Sequence, residues 1–108
     1  MLPLIEQHRT QIEALCRKHH VTRLELFGSA ARGDFDPAHS DLDFFVEFEE
    51  LGWRGSSDRY FGLLHGLEDL FHRKIDLVER KAVRSRLFLT VADEFRELIY
   101  AAPVAKAS

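Results

Sequence analysis

Cysteine is all but missing from this chain of 108 residues. Cys16 stands alone, so no internal disulfide can form, and a reducing compartment is the expected setting. No apolar run approaches the ~20 residues that cross a bilayer. The opening Met1-Leu2-Pro3-Leu4 meets Glu6 and His8 at once, unlike a secretory signal. A cytoplasmic protein without membrane contact is expected. An excess of positive charge is also lacking: 15 basic against 18 acidic side chains give a net charge of −3. That balance argues against direct nucleic-acid binding by broad phosphate neutralisation, yet leaves room for a local site for one nucleotide. Repeats and low-complexity stretches are absent, and the six histidines show no ligand spacing.

What remains is an ordinary globular composition, 45% hydrophobic and 31% charged. A chain of this length suits one domain and can bury a core without metal or disulfide staples. Residues 1–102 are expected to form that single domain, with 103–108 as a frayed tail. Nine phenylalanines make much of the core aromatic.

Pro3 suits the first turn of a helix, where its missing N–H costs nothing. Leu4, Ile5, His8, Ile12, Leu15 and Cys16 recur at helical spacing, predicting one helix to about His19. Val21 to Phe27 reads as a strand, with Leu24 and Leu26 on one face. Gly28-Ser29 ends it, and Ala30-Ala31-Arg32-Gly33 looks like a helical turn stopped by glycine. After a loop holding Pro37, Asp41 to Phe48 alternates, with Leu42, Phe44 and Val46 facing away from Asp41, Asp43, Phe45 and Glu47. Ser56 or Ser57 is placed to cap a helix running to about His72. Lys74 to Val78 reads as a short strand, and Leu87, Val91, Phe95, Leu98 and Ile99 mark a last helix. The fold class is α/β, a small mixed sheet flanked by helices in the order α-β-α-β-α-β-α.

Asp41-Leu42-Asp43 is the sharpest chemical feature. Residues i and i+2 of a strand project from one face about 7 Å apart, so two carboxylates can converge on one ion. Carboxylates ~4 Å apart repel by roughly 4 kcal/mol at an effective dielectric near 20, which a hard cation relieves. Mg²⁺ takes a few carboxylates plus phosphate oxygens and water, so the pair suits a magnesium–nucleotide complex. A bare Asp-x-Asp also suits a solvent-facing strand edge. Gly28-Ser29 adds context, since glycine lets a phosphate approach the backbone, the next residues offer N–H groups, and the Ser29 hydroxyl can donate. Arg32 can reach a phosphate or pair at the surface with Asp34 or Asp36. Asp76 interrupts an apolar strand and must face a cleft or solvent. If its strand lies beside the one carrying Asp43, three carboxylates meet on one surface, two for metal and one to take an acceptor's proton.

Gly28-Ser29-Ala30-Ala31-Arg32-Gly33-Asp34 followed by Ser40-Asp41-Leu42-Asp43-Phe44-Phe45-Val46 resembles the signature of the DNA-polymerase-β-like nucleotidyltransferases, and most closely their minimal nucleotidyltransferase group. Tyr60-Phe61-Gly62-Leu63, Arg73 to Glu79 and Arg96 to Tyr100 are also similar to that group, so the resemblance covers nearly the whole chain. It implies a polymerase-β palm-like fold, with Gly28 and Ser29 at the triphosphate of ATP, where Arg32 is the further candidate for a phosphate contact. It implies Mg²⁺ on Asp41 and Asp43, with Asp76 as the third carboxylate of the metal site and the base. It further implies an antitoxin that transfers AMP to a tyrosine hydroxyl of a HEPN-type toxin in a hetero-complex. Two alternatives stand beside it: a nucleotide-binding antitoxin that acts by contact alone, and an antibiotic-modifying transferase, whose relatives usually carry a further domain. A homodimer is compatible with either.

Several other residues have bland readings. Cys16 falls on the apolar stripe and is expected in the core. Trp53, in a Gly-flanked loop, suits local packing or contact with a base or partner. Arg80-Lys81, Arg84 and Arg86 read as a solvated helix start.

Overall fold

The computed structural model describes residues 2–103. Helix α1 (Pro3–Gln7) opens on proline, and α2 (Arg9–Lys18) follows after His8. The single helix expected here is interrupted at His8. The His8 Nδ1–H donates to Leu4 O at 2.9 Å, while its backbone N–H turns to Ile5 O at 3.1 Å. A ring that competes for the i−4 carbonyl tightens the turn and divides the helix. Ile5, Ile12 and Cys16 are nonetheless buried on one continuous stripe.

Strand β1 (Val21–Phe27) is followed by the four-residue helix α3 (Ser29–Arg32), which Gly33 ends in a left-handed conformation. Strand β2 (Leu42–Phe48) runs antiparallel to β1. Helix α4 (Ser56–Phe71) returns the chain so that β3 (Ile75–Glu79) lies parallel to β2. Neither Ser56 nor Ser57 caps α4; Gly55 occupies the cap position in a left-handed conformation, which places Ser56 inside the first turn. A short 3₁₀ turn at Arg80–Ala82 leads to α5 (Arg86–Asp93), capped by Ser85 Oγ, which accepts from Phe88 N–H at 3.1 Å.

The last helix is shorter than the periodicity predicts. It stops at Asp93, and Glu97–Ala101 forms a fourth strand, β4, antiparallel to β1. Leu98, Ile99 and Tyr100 suit either period. The free edge of β1 decides between them, because its backbone N–H and C=O groups need partners that only a strand can give. Ile99 enters the core, and its carbonyl accepts from the Arg9 guanidinium at 2.9 Å. The mixed sheet flanked by helices is therefore as expected, with the order β3-β2-β1-β4 and one strand more. Of the tail expected at 103–108, residues 104–108 lie outside the described residues.

One face of the sheet carries the main core. Leu24, Leu26, Leu42, Phe44, Val46, Ile75, Leu77 and Ile99 meet the stripes of α1, α2 and α4 there. Cys16 is buried within it, and burial pushes its thiol up to about 12, which keeps it protonated and inert. The opposite face is organised by aromatics. Phe27 and Phe45 stack with ring centroids 4.0 Å apart, and Phe88 of α5 sets its edge against both. Trp53 projects from its loop and is 82% exposed, so local packing does not account for it.

Candidate active site

The parallel pairing of β2 with β3 places Asp43 directly opposite Asp76. Both residues project from the face away from the main core, as the burial of Leu42, Phe44, Ile75 and Leu77 on the other side requires. Asp41 stands one residue before β2, exposed, with the Lys74 ammonium 3.8 Å from its Oδ2. Three carboxylates thus gather at one end of two adjacent strands. The sequence supplied the three residues, and strand order supplies their convergence.

Their crowding is visible in the protonation of Asp43. Burial, then the charge of Asp76, then that of Asp41, and a side-chain hydrogen bond with Asp76 push its carboxyl from 3.8 up to about 6. The Arg32 charge acts in the opposite sense. Such a site favours an added positive charge, either a proton or a hard cation.

Gly28 presses against this pair from β1. Phe27 lies opposite Asp43 in the antiparallel register, so the turn after it crosses the carboxylate. Gly28 adopts a φ of 71° and a ψ of −151°, a conformation that side chains avoid. A Cβ added there would overlap Asp43 Oδ2 outright. Glycine is needed at this position for close approach and for backbone geometry together. The N–H groups of Ser29 and Ala30 follow in the first turn of α3, where a helix offers no carbonyl to receive them. Arg32 lies on the last residue of α3, half-exposed, with its Nε–H donating to Asp34 Oδ2 at 3.3 Å. The surface pairing with Asp34 is therefore present, and the same guanidinium lies close enough to Asp43 to lower it.

Sequence reasoning missed what holds the loop between α3 and Asp41. The Arg73 guanidinium donates to Ser40 O and Pro37 O, each at 3.1 Å, and lies 4.9 Å above the Phe35 ring. The Asp36 carboxylate, held below its usual range first by the His39 ring, also accepts from Ala38 N–H. An arginine that grips a loop more than thirty residues upstream leaves no local pattern to find. Arg80 was also missed. Far from being solvated, it makes a bidentate pair with Asp93 at 2.7 Å and lies 5.0 Å over Phe45.

The donor set suits a hard divalent cation. Asp41 and Asp43 offer carboxylate oxygens and no soft ligand. Among the described residues no three His, Cys, Asp or Glu side chains could enclose a metal by themselves. Phosphate oxygens and water would have to complete the shell, which is how Mg²⁺ is ordinarily held beside a nucleotide.

A glycine turn beside paired aspartates on a mixed sheet defines a phosphoryl- or nucleotidyl-transfer centre. The chain belongs to the nucleotidyltransferase domain family, whose model matches residues 8–101, and it is accordingly a nucleotidyltransferase. Its fold is similar to a solved structure described as a minimal nucleotidyltransferase, at 29% identity and a TM-score of 0.73, over 89% of this chain and 93% of that one. It is also similar to a toxin–antitoxin structure with AMP-PNP, at 18% identity and a TM-score of 0.65, over 87% of this chain and 73% of that one. A third similarity is to a chain in the complex of a tri-AMPylated Shewanella oneidensis HEPN toxin with an MNT antitoxin. The identity there is 16% and the TM-score 0.63, over 91% of this chain and 73% of that one. No curated protein sequence is significantly similar. No helix among the described residues is long and apolar enough to cross a membrane.

Proposed function

We propose that this nucleotidyltransferase moves AMP from ATP onto a hydroxyl of a protein partner, a tyrosine of a HEPN-type toxin, and so acts as that toxin's antitoxin. The observation that carries the reading is the register of Asp43 opposite Asp76, with Asp41 at the mouth of the pair and Gly28 against it. The structural neighbours support the choice of nucleotide and partner, since one complex holds AMP-PNP and another an AMPylated HEPN toxin.

In this reading Asp41 and Asp43, beside Asp76, would hold Mg²⁺, which when bound would supply positive charge toward the α-phosphate. Gly28 lets the phosphates approach, Ser29 and the N–H groups after it donate to them, and Arg32 adds a cation at their edge. Asp76, exposed beside Asp43, accepts the proton of the acceptor hydroxyl. The acceptor oxygen forms its bond to the α-phosphorus while the bond to the β-phosphate oxygen breaks, and pyrophosphate leaves.

The test is transfer of label from α-labelled ATP to a co-expressed HEPN partner. Label should appear on the partner with the wild-type chain and Mg²⁺, and fall by about a thousandfold or more in Asp43→Asn. Equal labelling by both chains would refute the assignment of these carboxylates.

A further inference from the structure

Helix α5 is amphipathic, yet none of its residues is buried. A helix whose one partner is a sheet ordinarily turns its apolar stripe onto that sheet. Here charged side chains share that contact. Asp93 meets Arg80 at 2.7 Å and Arg96 at 3.4 Å, and Arg96 reaches the buried Glu25 of β1 at 3.5 Å. Phe88 adds its edge against Phe27 and Phe45. Other apolar side chains point outward: Leu87 is 74% exposed, Val91 60%, and Phe95, just past the helix, 46%. Leu98 of β4, opposite Glu25 on the same face of the sheet, is also 46% exposed. Four large apolar side chains on α5 and the chain after it are more than the scattered exposure a monomer carries without consequence. We propose that this face binds a second copy of the chain, with the two α5 helices antiparallel about a twofold axis at Val91.

Charge selects the occupant. Arg84 and Arg86 stand at the start of α5, and Glu94 and Glu97 lie beyond its end. None of the four makes an ion pair among the described residues. A face that is basic at one end and acidic at the other complements itself when a copy is turned end for end. In that arrangement Leu87 lies against Phe95 of the second copy, Val91 lies against its own counterpart, and each arginine end meets a glutamate end. A parallel arrangement would set arginine against arginine, which costs free energy. A twofold contact uses one patch twice, so assembly closes at the dimer.

The inference does not depend on the transferase reading, although the two surfaces meet. Val91 and Phe95 also wall a cleft of about 120 Å³ whose other lining includes Phe27, Gly28 and Arg32. A second copy seated on α5 closes that cleft beside Gly28.

The experiment is sedimentation equilibrium of the full chain from about 1 μM to about 0.2 mM. The expected mass rises with concentration from the 12.5 kDa of one chain toward twice that value. Val91→Asp, at an exposed position on the axis, brings two like charges together and should weaken the dimer by about a hundredfold. Arg84→Glu/Arg86→Glu and Glu94→Arg/Glu97→Arg should each weaken it by roughly tenfold or more, and an equimolar mixture of the two should form a mixed dimer. Recovery on mixing is a readout that loss of folding cannot imitate. A wild-type chain that stays monomeric throughout overturns the proposal. So does a dimer that Val91→Asp leaves intact, that charge reversal does not weaken, or that mixing does not restore. A monomer that binds the acceptor protein through this face, and loses it in Val91→Asp, gives the face to that partner and likewise overturns the proposal.

Discussion

Asp43 is the residue on which chemistry and stability meet. In the metal-free protein its carboxyl is raised from 3.8 to about 6, so the folded chain holds that proton more tightly than the unfolded chain does. Linkage then fixes the sign: this residue adds stability below its ordinary 3.8 and withdraws it as pH rises through about 6. Denaturant midpoints across that window should fall with rising pH more steeply in wild type than in Asp43→Asn, and the difference curve should flatten above it. Mg²⁺ should replace the proton. Adding it at neutral pH should raise Tm in wild type and leave Asp41→Asn/Asp43→Asn unmoved, by mass action on the folded state. Gly28 makes the complementary prediction. Gly28→Ala forces a Cβ onto Asp43 Oδ2 and should cost about a hundredfold in kcat through misplacement of a reacting group. Gly33→Ala shares the positive φ but meets no atom within 4 Å, so it should lose stability and keep its rate. Comparing kcat and Tm for the two alanines separates crowding of the site from backbone strain.

At the scale of elements, the site depends on pieces fixed from a distance. Arg73 bonds the carbonyls of Ser40 and Pro37 and covers Phe35, so it sets where the loop delivers Asp41. Arg73→Ala should lower kcat roughly tenfold to a hundredfold while leaving the pH profile unchanged. Arg73→Lys should recover little, because one ammonium cannot span two carbonyls and a ring. Helix α5 is held by charge as well as by Phe88. Glu25 is only 3% exposed, and its carboxylate lies 3.3 Å from Arg23 and 3.5 Å from Arg96, which also reaches Asp93 at 3.4 Å. Arg96→Ala leaves a buried carboxylate with one partner fewer and should cost about 2 kcal/mol in equilibrium unfolding.

The same scale shows what the sequence could and could not disclose. Alternation placed β1, β2 and β3, and Asp76 stood out because a charge in an apolar strand needs a reason. The Gly28-Ser29 turn and the Asp41–Asp43 spacing were legible for the same local reasons. Strand β4 was not, since Leu98, Ile99 and Tyr100 satisfy both periods and the bare edge of β1 is a tertiary fact. His8 broke a helix through a ring-to-carbonyl bond that no periodicity records. Arg73, Arg80 and Glu25 act on partners brought close only by folding, so their types and spacing carried no signal.

At the scale of the molecule, a net charge of −3 over 108 residues gives no general attraction to phosphate. In the proposed reading, nucleotide affinity comes from the end of the sheet where Gly28, Ser29, Arg32 and the carboxylates lie. Leu87, 74% exposed on α5, and Trp53 leave apolar surface for a protein contact. The proposed transfer onto a partner and the alternative of neutralising it by contact alone make different demands on the chain, and only transfer needs the carboxylates. The most direct measurement is the intact mass of a co-expressed HEPN partner, produced with the wild-type chain and with Asp41→Asn/Asp43→Asn. This account predicts a gain of one or more AMP units with wild type and none with the variant, although the variant still forms the complex. An unmodified partner that is fully neutralised by both chains would contradict it.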